Sequence, residues 1–311
     1  MKYEKEFTVA LAGNPNVGKS TVFNALTGLK QHTGNWVGKT VGNAAGSYTY
    51  NNNKYLITDL PGTYSLCAHS AEEIIACRHI CLEKPDVTVI VCDASCLERN
   101  LNLVLQITEI TSKAVLCVNM MDEAEKKNIK TDITKLSQQL GIPVAATSAR
   151  SKKGLDKLMQ AIESVALSKE SNDITLVYTS RIENAISQLL PLTEKIETDS
   201  RTKRFICLKL LQGDSDTVDS LCKKHGTDDN YLKALISAAD RLTVNNFTDE
   251  IISCIFITAE GIAAEGVKRS ANKKQVRDRK IDRILTGKLT GIPIMPVSYT
   301  HLRAHETTLH L

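Results

Sequence analysis

The feature that most constrains this chain is a glycine-rich segment, residues 13–20, with the sequence Gly-Asn-Pro-Asn-Val-Gly-Lys-Ser. It follows an apolar run at residues 7–12 and precedes a stretch of helical periodicity at residues 20–27. The pattern G-x-x-x-x-G-K-[ST] between a strand and a helix predicts a P-loop, in which successive backbone N–H groups surround a phosphate. Lys19 would contact the β- and γ-phosphates, and Ser20 would coordinate Mg²⁺.

Two further motifs follow apolar runs, in the order expected of a GTP-binding protein. Asp59-Leu60-Pro61-Gly62 fits D-x-x-G, in which the aspartate holds a Mg²⁺-bound water and the glycine N–H meets the γ-phosphate. Asn119-Met120-Met121-Asp122 fits N-x-x-D. The carboxylate of Asp122 would accept from N1–H and the exocyclic amine of guanine. Adenine lacks this donor pair, so the motif predicts selection of GTP over ATP.

A third loop and two departures refine this prediction. Thr147-Ser148-Ala149 resembles the S-A-[KR] loop, in which the backbone N–H at Ala149 would contact guanine O6. Met120 stands where N-K-x-D motifs have a lysine, and because it can cover the base without donating a hydrogen bond, we expect modest nucleotide affinity. Thr63 stands where Ras-like proteins have the glutamine that orients water, so intrinsic hydrolysis should be slow or assisted by another group.

The segment between the P-loop and D-x-x-G predicts a switch. Thr40 is placed to coordinate Mg²⁺ and to sense the γ-phosphate through its backbone N–H. Trp36 is the only tryptophan of the chain. Its neighbours Gly34 and Gly38 indicate that it lies in an exposed, moving loop and not in the core.

Apolar runs alternate with amphipathic stretches up to about residue 168. This predicts an α/β fold, a P-loop GTPase with a mixed, mostly parallel sheet. The predicted strands are residues 7–12, 55–58, 87–92, 114–118 and 144–146, with helices at 20–27, 71–82, 101–110, 132–140 and 154–166 and a hairpin at 48–58. Helical spacing at 181–190, 205–211, 218–224, 231–241 and 249–268 predicts a small all-α domain. We expect domains at 1–168 and 173–272, a connector at 273–295, and a disordered or non-native tail at 296–311.

Composition limits the class of protein. The net charge of +4 gives no argument for nucleic acid or a membrane surface, and no run of about 18 apolar residues is free of charge, so we expect a soluble chain. The nine cysteines are scattered, which favours reduced cytosolic thiols. Cys77 and Cys81, like Cys92 and Cys96, are four residues apart, and buried thiols are favoured over a metal site for both pairs.

Several longer runs resemble one family. They are Gly13–Ser20, Gly34-Asn35-Trp36, Asp59-Leu-Pro-Gly-Thr-Tyr-Ser-Leu66, Asp93-Ala-Ser-Cys-Leu-Glu-Arg-Asn-Leu101 and Asn119–Asp122. Across residues 6–295 the chain resembles FeoB, the bacterial ferrous iron transport protein B. One departure lies at Gly38-Lys39-Thr40-Val41-Gly42, where that family usually reads Gly-Val-Thr-Val-Glu.

The resemblance implies a GTPase domain and a helical domain that stabilises bound GDP, on the cytoplasmic face of the bacterial inner membrane. It implies regulation of a membrane half that carries Fe²⁺, here missing, with small accessory Feo proteins and a homo-oligomer as further partners and no nucleic acid. It also implies activation by K⁺, with Asn16 as a ligand. A monovalent cation at the phosphates can replace an arginine finger.

The implied cofactors are GTP or GDP, Mg²⁺ and K⁺. Catalysis is assigned to Asn16, Lys19, Thr40 and Gly62, Mg²⁺ to Ser20, Thr40 and Asp59, and K⁺ to Asn16. The complete predicted nucleotide site is Gly13, Asn14, Pro15, Asn16, Val17, Gly18, Lys19, Ser20, Thr21, Gly38, Lys39, Thr40, Val41, Gly42, Asp59, Leu60, Pro61, Gly62, Asn119, Met120, Asp122, Ser148, Ala149 and Arg150.

Two alternatives remain open from the residues. A ribosome- or tRNA-associated GTPase would need an RNA-binding module, but aromatic residues are only 5% of the chain and no basic run interleaves with them. A module that binds nucleotide without significant hydrolysis is compatible with Thr63.

Overall fold

A computed structural model describes residues 3–28, 44–66, 70–168, 175–242 and 247–269 of the chain. Several predictions lie outside these residues: the connector at 273–295, the tail at 296–311, and the switch residues Trp36, Gly38, Lys39, Thr40, Val41 and Gly42. Residues Met1–Lys268 form one compact unit, and the second unit, Arg269–Leu311, is described only at its first residue.

The described residues contain a six-stranded sheet. Its strands, together with two short ones outside it, are β1 (Glu6–Gly13), β2 (Ala44–Tyr50), β3 (Asn53–Asp59), β4 (Val87–Asp93), β5 (Ala114–Asn119), β6 (Ile129–Thr131), β7 (Val144–Ala146) and β8 (Val267–Arg269). The order is β2-β3-β1-β4-β5-β7, with β2 antiparallel to β3 and every other pair parallel. The predicted mixed, mostly parallel sheet is confirmed.

Helices alternate with these strands and then follow one another without interruption. They are α1 (Lys19–Thr27), α2 (Ala71–Arg78), α3 (Leu97–Ile110), α4 (Met121–Lys126), α5 (Ile133–Leu140), α6 (Leu155–Leu167), α7 (Ser180–Leu189), α8 (Ser200–Leu211), α9 (Ser215–Lys224), α10 (Asp229–Leu242) and α11 (Phe247–Gly266). Side-chain oxygens accept from first-turn N–H groups at Ser70 of α2, Thr179 of α7 and Asp199 of α8. The helical second part is therefore as predicted.

The hairpin of β2 and β3 turns at two asparagines. Asn51 and Asn52 have φ of 45° and 60°, so both central residues take left-handed conformations. Asparagine tolerates this region better than most residues, and such turns match the twist of the paired strands. The predicted asparagine-rich turn is confirmed.

The two faces of the sheet have different cores. One face packs against α1 and α6 through side chains such as Phe23, Leu158 and Ile162. The other face packs against α3, and its apolar cluster continues without a break into the later helices, including Ile206 of α8 and Ile251 of α11. The G-domain fold and the helical part therefore share one core.

A polar link supplements this shared core. Glu109 of α3 is 4% exposed and accepts the Leu176 N–H at 2.7 Å. Arg204 of α8 donates to the Leu176 carbonyl at 3.0 Å and pairs with Glu183 of α7 at 2.7 Å. Burial raises the pKa of the Glu109 carboxyl. Leu176, at the entry to the helical part, is thus held at both its backbone N–H and its backbone carbonyl.

Two features were not predicted. The strand β8 pairs with β6 in a small two-stranded sheet beside the helices. The α2 helix continues into a π-helical turn at His79–Glu83. Among the helices of the described ranges, none has the length and apolar character needed to cross a bilayer.

Candidate nucleotide-binding site

The glycine-rich loop joins the end of β1 to the start of α1. Gly18 is the N-cap of α1 and has φ of 81°, a left-handed conformation that favours glycine. A Cβ on Gly18 would lie 2.5 Å from Asn119 Nδ2 and 3.1 Å from Met120 Cε. The loop needs glycine here both for its backbone conformation and for its close approach to N-x-x-D.

Lys19 and Ser20 contact the first residues of D-x-x-G. Lys19 is 9% exposed, and its Nζ pairs with the Asp59 carboxylate and donates to the Leu60 carbonyl. Ser20 Oγ donates to Asp59 Oδ2 at 3.2 Å. Hydroxyl and carboxylate oxygens are ligands that Mg²⁺ prefers, and the ammonium group of Lys19 lies beside them. The side chains predicted for phosphate and for Mg²⁺ are thus brought together.

The D-x-x-G segment is tied to β1 by its backbone. The Leu60 N–H donates to the Leu11 carbonyl at 3.0 Å, and the Thr63 N–H donates to the Gly13 carbonyl at 3.2 Å. The Thr63 side chain is 3% exposed, and its hydroxyl donates to the Ser65 carbonyl at 2.6 Å. Its hydroxyl hydrogen is therefore used locally, within its own turn.

Asn119 connects three loops of the site. Its Nδ2 donates to the Val17 carbonyl of the P-loop at 3.1 Å. Its Oδ1 accepts from the Ala149 N–H at 3.0 Å and from Thr147 Oγ1 at 3.1 Å. Asn119 is 2% exposed, so these bonds form away from competing water. One side chain thereby fixes the P-loop relative to both predicted base-contacting loops.

The two base-contacting loops also touch each other directly. The Asp122 N–H donates to Ser148 Oγ at 3.2 Å, and Asp122 lies in the first turn of α4. Met120 has φ of 59° and is the N-cap of that helix. The Asp122 carboxylate is partly exposed, and no side chain or N–H group of the described residues donates to it, so it is available to a ligand donor.

The remaining predicted residues are placed as follows. Asn16 and Thr21 are exposed on the P-loop and α1, as is Arg150 beyond the S-A loop, whereas Pro15, Pro61 and Gly62 are partly buried. Gly13 approaches β4 so closely that a Cβ would lie 2.5 Å from the Val91 carbonyl oxygen. Asn14 is 3% exposed, and its Oδ1 has no hydrogen-bond partner in the described part of the chain. A buried acceptor of this kind at a P-loop fits a site that is completed by a bound group.

Comparison with known families places the chain. The family model for ferrous iron transport protein B matches residues 7–162, and that for the FeoB cytosolic helical domain matches residues 178–268. The chain belongs to the FeoB family. The sequence resemblance is therefore confirmed, together with the P-loop GTPase fold of the family's N-terminal part.

Curated FeoB relatives are much longer than this chain. A "Fe(2+) transport protein A/Fe(2+) transporter FeoB fusion protein" of Porphyromonas gingivalis is 36% identical over 305 residues, covering 92% of this chain and 35% of that protein. The "Fe(2+) transporter FeoB" of Escherichia coli K12 is 38% identical over 215 residues, covering 68% of this chain and 27% of that protein. The chain thus spans 27–35% of the length of these relatives.

Solved FeoB structures share the fold. The cytosolic domain of T. maritima FeoB in apo form is 32% identical, with a TM-score of 0.69 over 85% of this chain and 100% of that one. The same domain in its GMPPNP form gives a TM-score of 0.69 at 32% identity, covering 84% of this chain and 99% of that one.

One contact that follows the D-x-x-G motif could not be predicted from the sequence motifs. The end of the D-x-x-G segment, Leu66, donates its N–H to Gln106 Oε1 at 2.7 Å and accepts from Lys209 Nζ at 2.7 Å. Lys209 of α8 is 3% exposed and pairs with Asp214 at 3.2 Å. The only sequence signal was a lysine inside the apolar run of residues 205–211, where an unpaired charge would be costly to bury.

Proposed function

We propose that this chain binds and hydrolyses GTP and regulates a bacterial Fe²⁺ transporter. The observation that carries the proposal is the Asn119 network, which connects the P-loop with both loops that would contact guanine. The FeoB relatives named as Fe(2+) transporters support the transport context, and the fusion with Fe(2+) transport protein A supports a small accessory Feo partner. The location proposed is the cytoplasmic face of the inner membrane, next to the transporter's own membrane domain.

Each group has a role in this proposal. Backbone N–H groups of residues 13–18 other than Pro15, together with the Lys19 ammonium, would hold the β- and γ-phosphates. Ser20, Thr40 and Asp59 would hold Mg²⁺, which neutralises the charge that develops on the phosphates. The Gly62 N–H would meet the γ-phosphate, and Asp122 would accept from the guanine edge. The GDP and GMPPNP forms of the T. maritima relative support nucleotide binding here.

Potassium activation is proposed for the same site. Asn16 is exposed at the P-loop, and within the described part of the chain its amide oxygen accepts no hydrogen bond. The Thr63 hydroxyl donates to Ser65, so it does not replace the missing glutamine as a donor to water. A cation held by Asn16 beside the phosphates would supply positive charge during hydrolysis. We therefore expect slow turnover in Na⁺ and faster turnover in K⁺.

The test is GTP turnover of the purified chain in K⁺ and in Na⁺, for the wild type and for Asn16 variants. Because Asn16 has φ of 65°, Asn16→Ala adds backbone strain as well as removing the amide. Asn16→Gly removes the amide without that strain and is the sharper variant. K⁺ stimulation should disappear in Asn16→Gly while GDP affinity stays within about threefold.

Two results would contradict this reading. K⁺ stimulation that survives in Asn16→Gly would remove Asn16 as the ligand. Equal, negligible turnover of the wild type in both salts would favour the alternative of a nucleotide-binding module without significant hydrolysis.

The domain division is also a proposal. We assign residues 1–168 to the GTP-binding domain and residues 173–272 to the helical domain, which would stabilise bound GDP. The contact of Lys209 with Leu66 supports a direct path from the helical part to the end of D-x-x-G.

A further inference from the structure

Cys77 and Cys81 form a close pair of thiols. Cys77 lies in the last turn of α2 and Cys81 in the π-helical turn that continues it. Their Sγ atoms are 3.7 Å apart, and the two residues are 1% and 3% exposed. Residues four apart on a helix have Cα atoms roughly 6 Å apart, which is within the range that a disulfide spans. The Cα spacing therefore allows a disulfide, provided that the two Cβ atoms, about 5–6 Å apart at this helical spacing, approach each other by about 1–2 Å.

A cavity reaches Cys81, one member of this pair. Its volume is about 310 Å³, and it lies where the π-helical turn meets the ends of α3 and α8. Cys81 lines it together with Ile80, Ile110 and Phe205. The charged side chains of the lining are of both signs: Lys84, Lys113, Arg201, Asp86 and Asp199. A space of this size admits a molecule slightly larger than water. Cys81 is thus reachable by a small polar oxidant although it is buried from bulk solvent.

The charges around the pair favour a thiolate on one member. The hydrogen bond from the Cys81 thiol lowers the pKa of Cys77. The Lys209 ammonium acts in the same direction, whereas burial and the Asp214 carboxylate act in the opposite one. The same hydrogen bond, together with burial, raises the pKa of Cys81. The hydrogen bond between the two sulfurs therefore favours loss of one proton from the pair, and it allows a proton to pass between Cys77 and Cys81.

A second cysteine pair provides an internal comparison. Cys92 of β4 and Cys117 of β5 are both fully buried in the sheet. Burial raises the pKa of Cys92, and it raises that of Cys117 to about 12. Neither residue lines the cavity beside Cys81. Cys92 and Cys117 are thus as buried as Cys77 and Cys81, but they do not line this cavity and Lys209 does not lower their pKa.

We propose that Cys77 and Cys81 are an oxidation site that hydrogen peroxide converts to a disulfide. The Cys81 thiol, which lines the cavity, gives its proton to the Cys77 thiolate, and its sulfur attacks one peroxide oxygen. The O–O bond breaks, and Cys81 becomes a sulfenic acid as hydroxide leaves and takes up a proton. The Cys77 sulfur then attacks the sulfenic sulfur, its proton and the sulfenic hydroxyl leave as a second water, and the S–S bond forms. Two thiols and one peroxide give one disulfide and two waters, so the peroxide is reduced by two electrons.

The position of the pair connects it to the nucleotide site. The N-cap of α2, Ser70, follows Leu66 by four residues. Lys209, whose charge stabilises the Cys77 thiolate, also donates to the Leu66 carbonyl. Disulfide formation removes that negative charge and constrains the end of α2. Oxidation should therefore change GTP turnover, an effect that rests on the proposed hydrolysis, whereas disulfide formation itself does not.

The first experiment maps the disulfide. The reduced chain is exposed to hydrogen peroxide for increasing times, blocked with an alkylating agent, and digested with trypsin and a glutamate-specific protease. Cleavage after Glu73, Arg78 and Glu83 puts the two cysteines on separate peptides, residues 74–78 and 79–83. A joined pair of these peptides, formed at least about tenfold faster than Cys92 or Cys117 is oxidised, is the expected result.

Three outcomes would overturn the proposal. They are equal oxidation rates for all four thiols, sulfinic acid without a joined peptide, and a disulfide between Cys77 and Cys67 instead. None of these readouts needs GTP turnover, so failure here is distinct from failure of the proposed function.

The second experiment measures GTP turnover before and after peroxide, and again after reduction with dithiothreitol. Wild-type turnover should change about threefold or more on oxidation and recover on reduction. Cys81→Ala and Cys77→Ala should retain basal turnover and lose the response, and Cys222→Ala, another buried thiol, should behave like the wild type. An unchanged response in both Cys81→Ala and Cys77→Ala would overturn the link to the nucleotide site.

Discussion

Gly18 is subject to two separate constraints, a left-handed backbone and contact with the Asn119 amide. Gly28, at the other end of α1, has a similar φ of 71°, but a Cβ there would meet nothing within 4 Å. The two glycines therefore separate conformational strain from steric contact. They form a matched pair for mutation.

We expect Gly18→Ala to weaken GDP binding at least about tenfold, because the added methyl group displaces Asn119 from the P-loop. Gly28→Ala should only destabilise the fold, by about 1–2 kcal/mol, and leave affinity unchanged. Calorimetric titration with GDP and urea unfolding measure the two effects. Equal affinity losses in both variants would show that strain, and not contact with Asn119, is the reason for glycine at position 18.

At the residue scale, the sequence predicts the role of a side chain when that residue belongs to a local motif. Lys19, Ser20, Asp59 and Asn119 were all predicted in this way, and the structure brings them together. Lys209 was not predicted, because its contact with Leu66 joins residues 143 positions apart and neither belongs to a motif. Local patterns carry no information about which distant helix covers a given carbonyl.

Asp199 caps α8 at the junction with the G-domain fold. Its carboxylate accepts from the Thr202 N–H at 2.8 Å and pairs with Lys84 at 2.9 Å. Burial alone would raise the pKa of Asp199, but the Thr202 and Lys84 hydrogen bonds outweigh it and hold the pKa below its usual value. A lowered folded-state pKa means that the stabilisation is complete above the unfolded pKa of about 4 and is lost as pH falls further.

We expect Asp199→Ala to lower the free energy of unfolding by about 1 kcal/mol at neutral pH, the usual contribution of an N-cap. The difference from the wild type should shrink below about pH 4. Lys84→Met is the control, because an exposed ion pair with a carboxylate contributes less than about 1 kcal/mol. Urea unfolding across pH checks both variants. A Lys84→Met effect as large as that of Asp199→Ala would assign the stabilisation to the ion pair.

At the element scale, the apolar periodicity predicts the type and position of helices and strands well. It predicts the backbone geometry within an element poorly. The predicted strand at residues 87–92 and helix at 101–110 correspond to β4 and to the C-terminal part of α3. The predicted helix at 71–82 is instead α2 followed by a π-helical turn at His79–Glu83. Apolar spacing at 3.6 residues cannot reveal a single wider turn.

Because the G-domain fold and the helical part share one apolar core, we expect the stability of each part to depend on the other. Helix α3 lies between the sheet on one side and α8 and α11 on the other. A polypeptide that ends at residue 168 would leave the outer face of α3 without its apolar partners. Apolar surface of that kind destabilises a fold by roughly 25 cal/mol per Å² left exposed.

We therefore expect a fragment of residues 1–168 to unfold at lower urea concentration than residues 1–268 and to bind the dye ANS, which reports exposed apolar surface. Urea titration and ANS fluorescence of both fragments provide the measurement. Equal urea midpoints with no ANS binding would show that the first domain completes its core by itself, in spite of the continuous cluster.

Lys209 also has a consequence for the order in which the chain is made. Leu66 leaves the ribosome 143 residues before the lysine that binds its carbonyl. At 5–20 residues per second, translation of that interval takes roughly 7–30 s. During this time the nascent chain already contains the P-loop and D-x-x-G, while the helices that cover α3 do not yet exist. The protein is thus synthesised with its nucleotide-binding part ahead of the helices that cover α3.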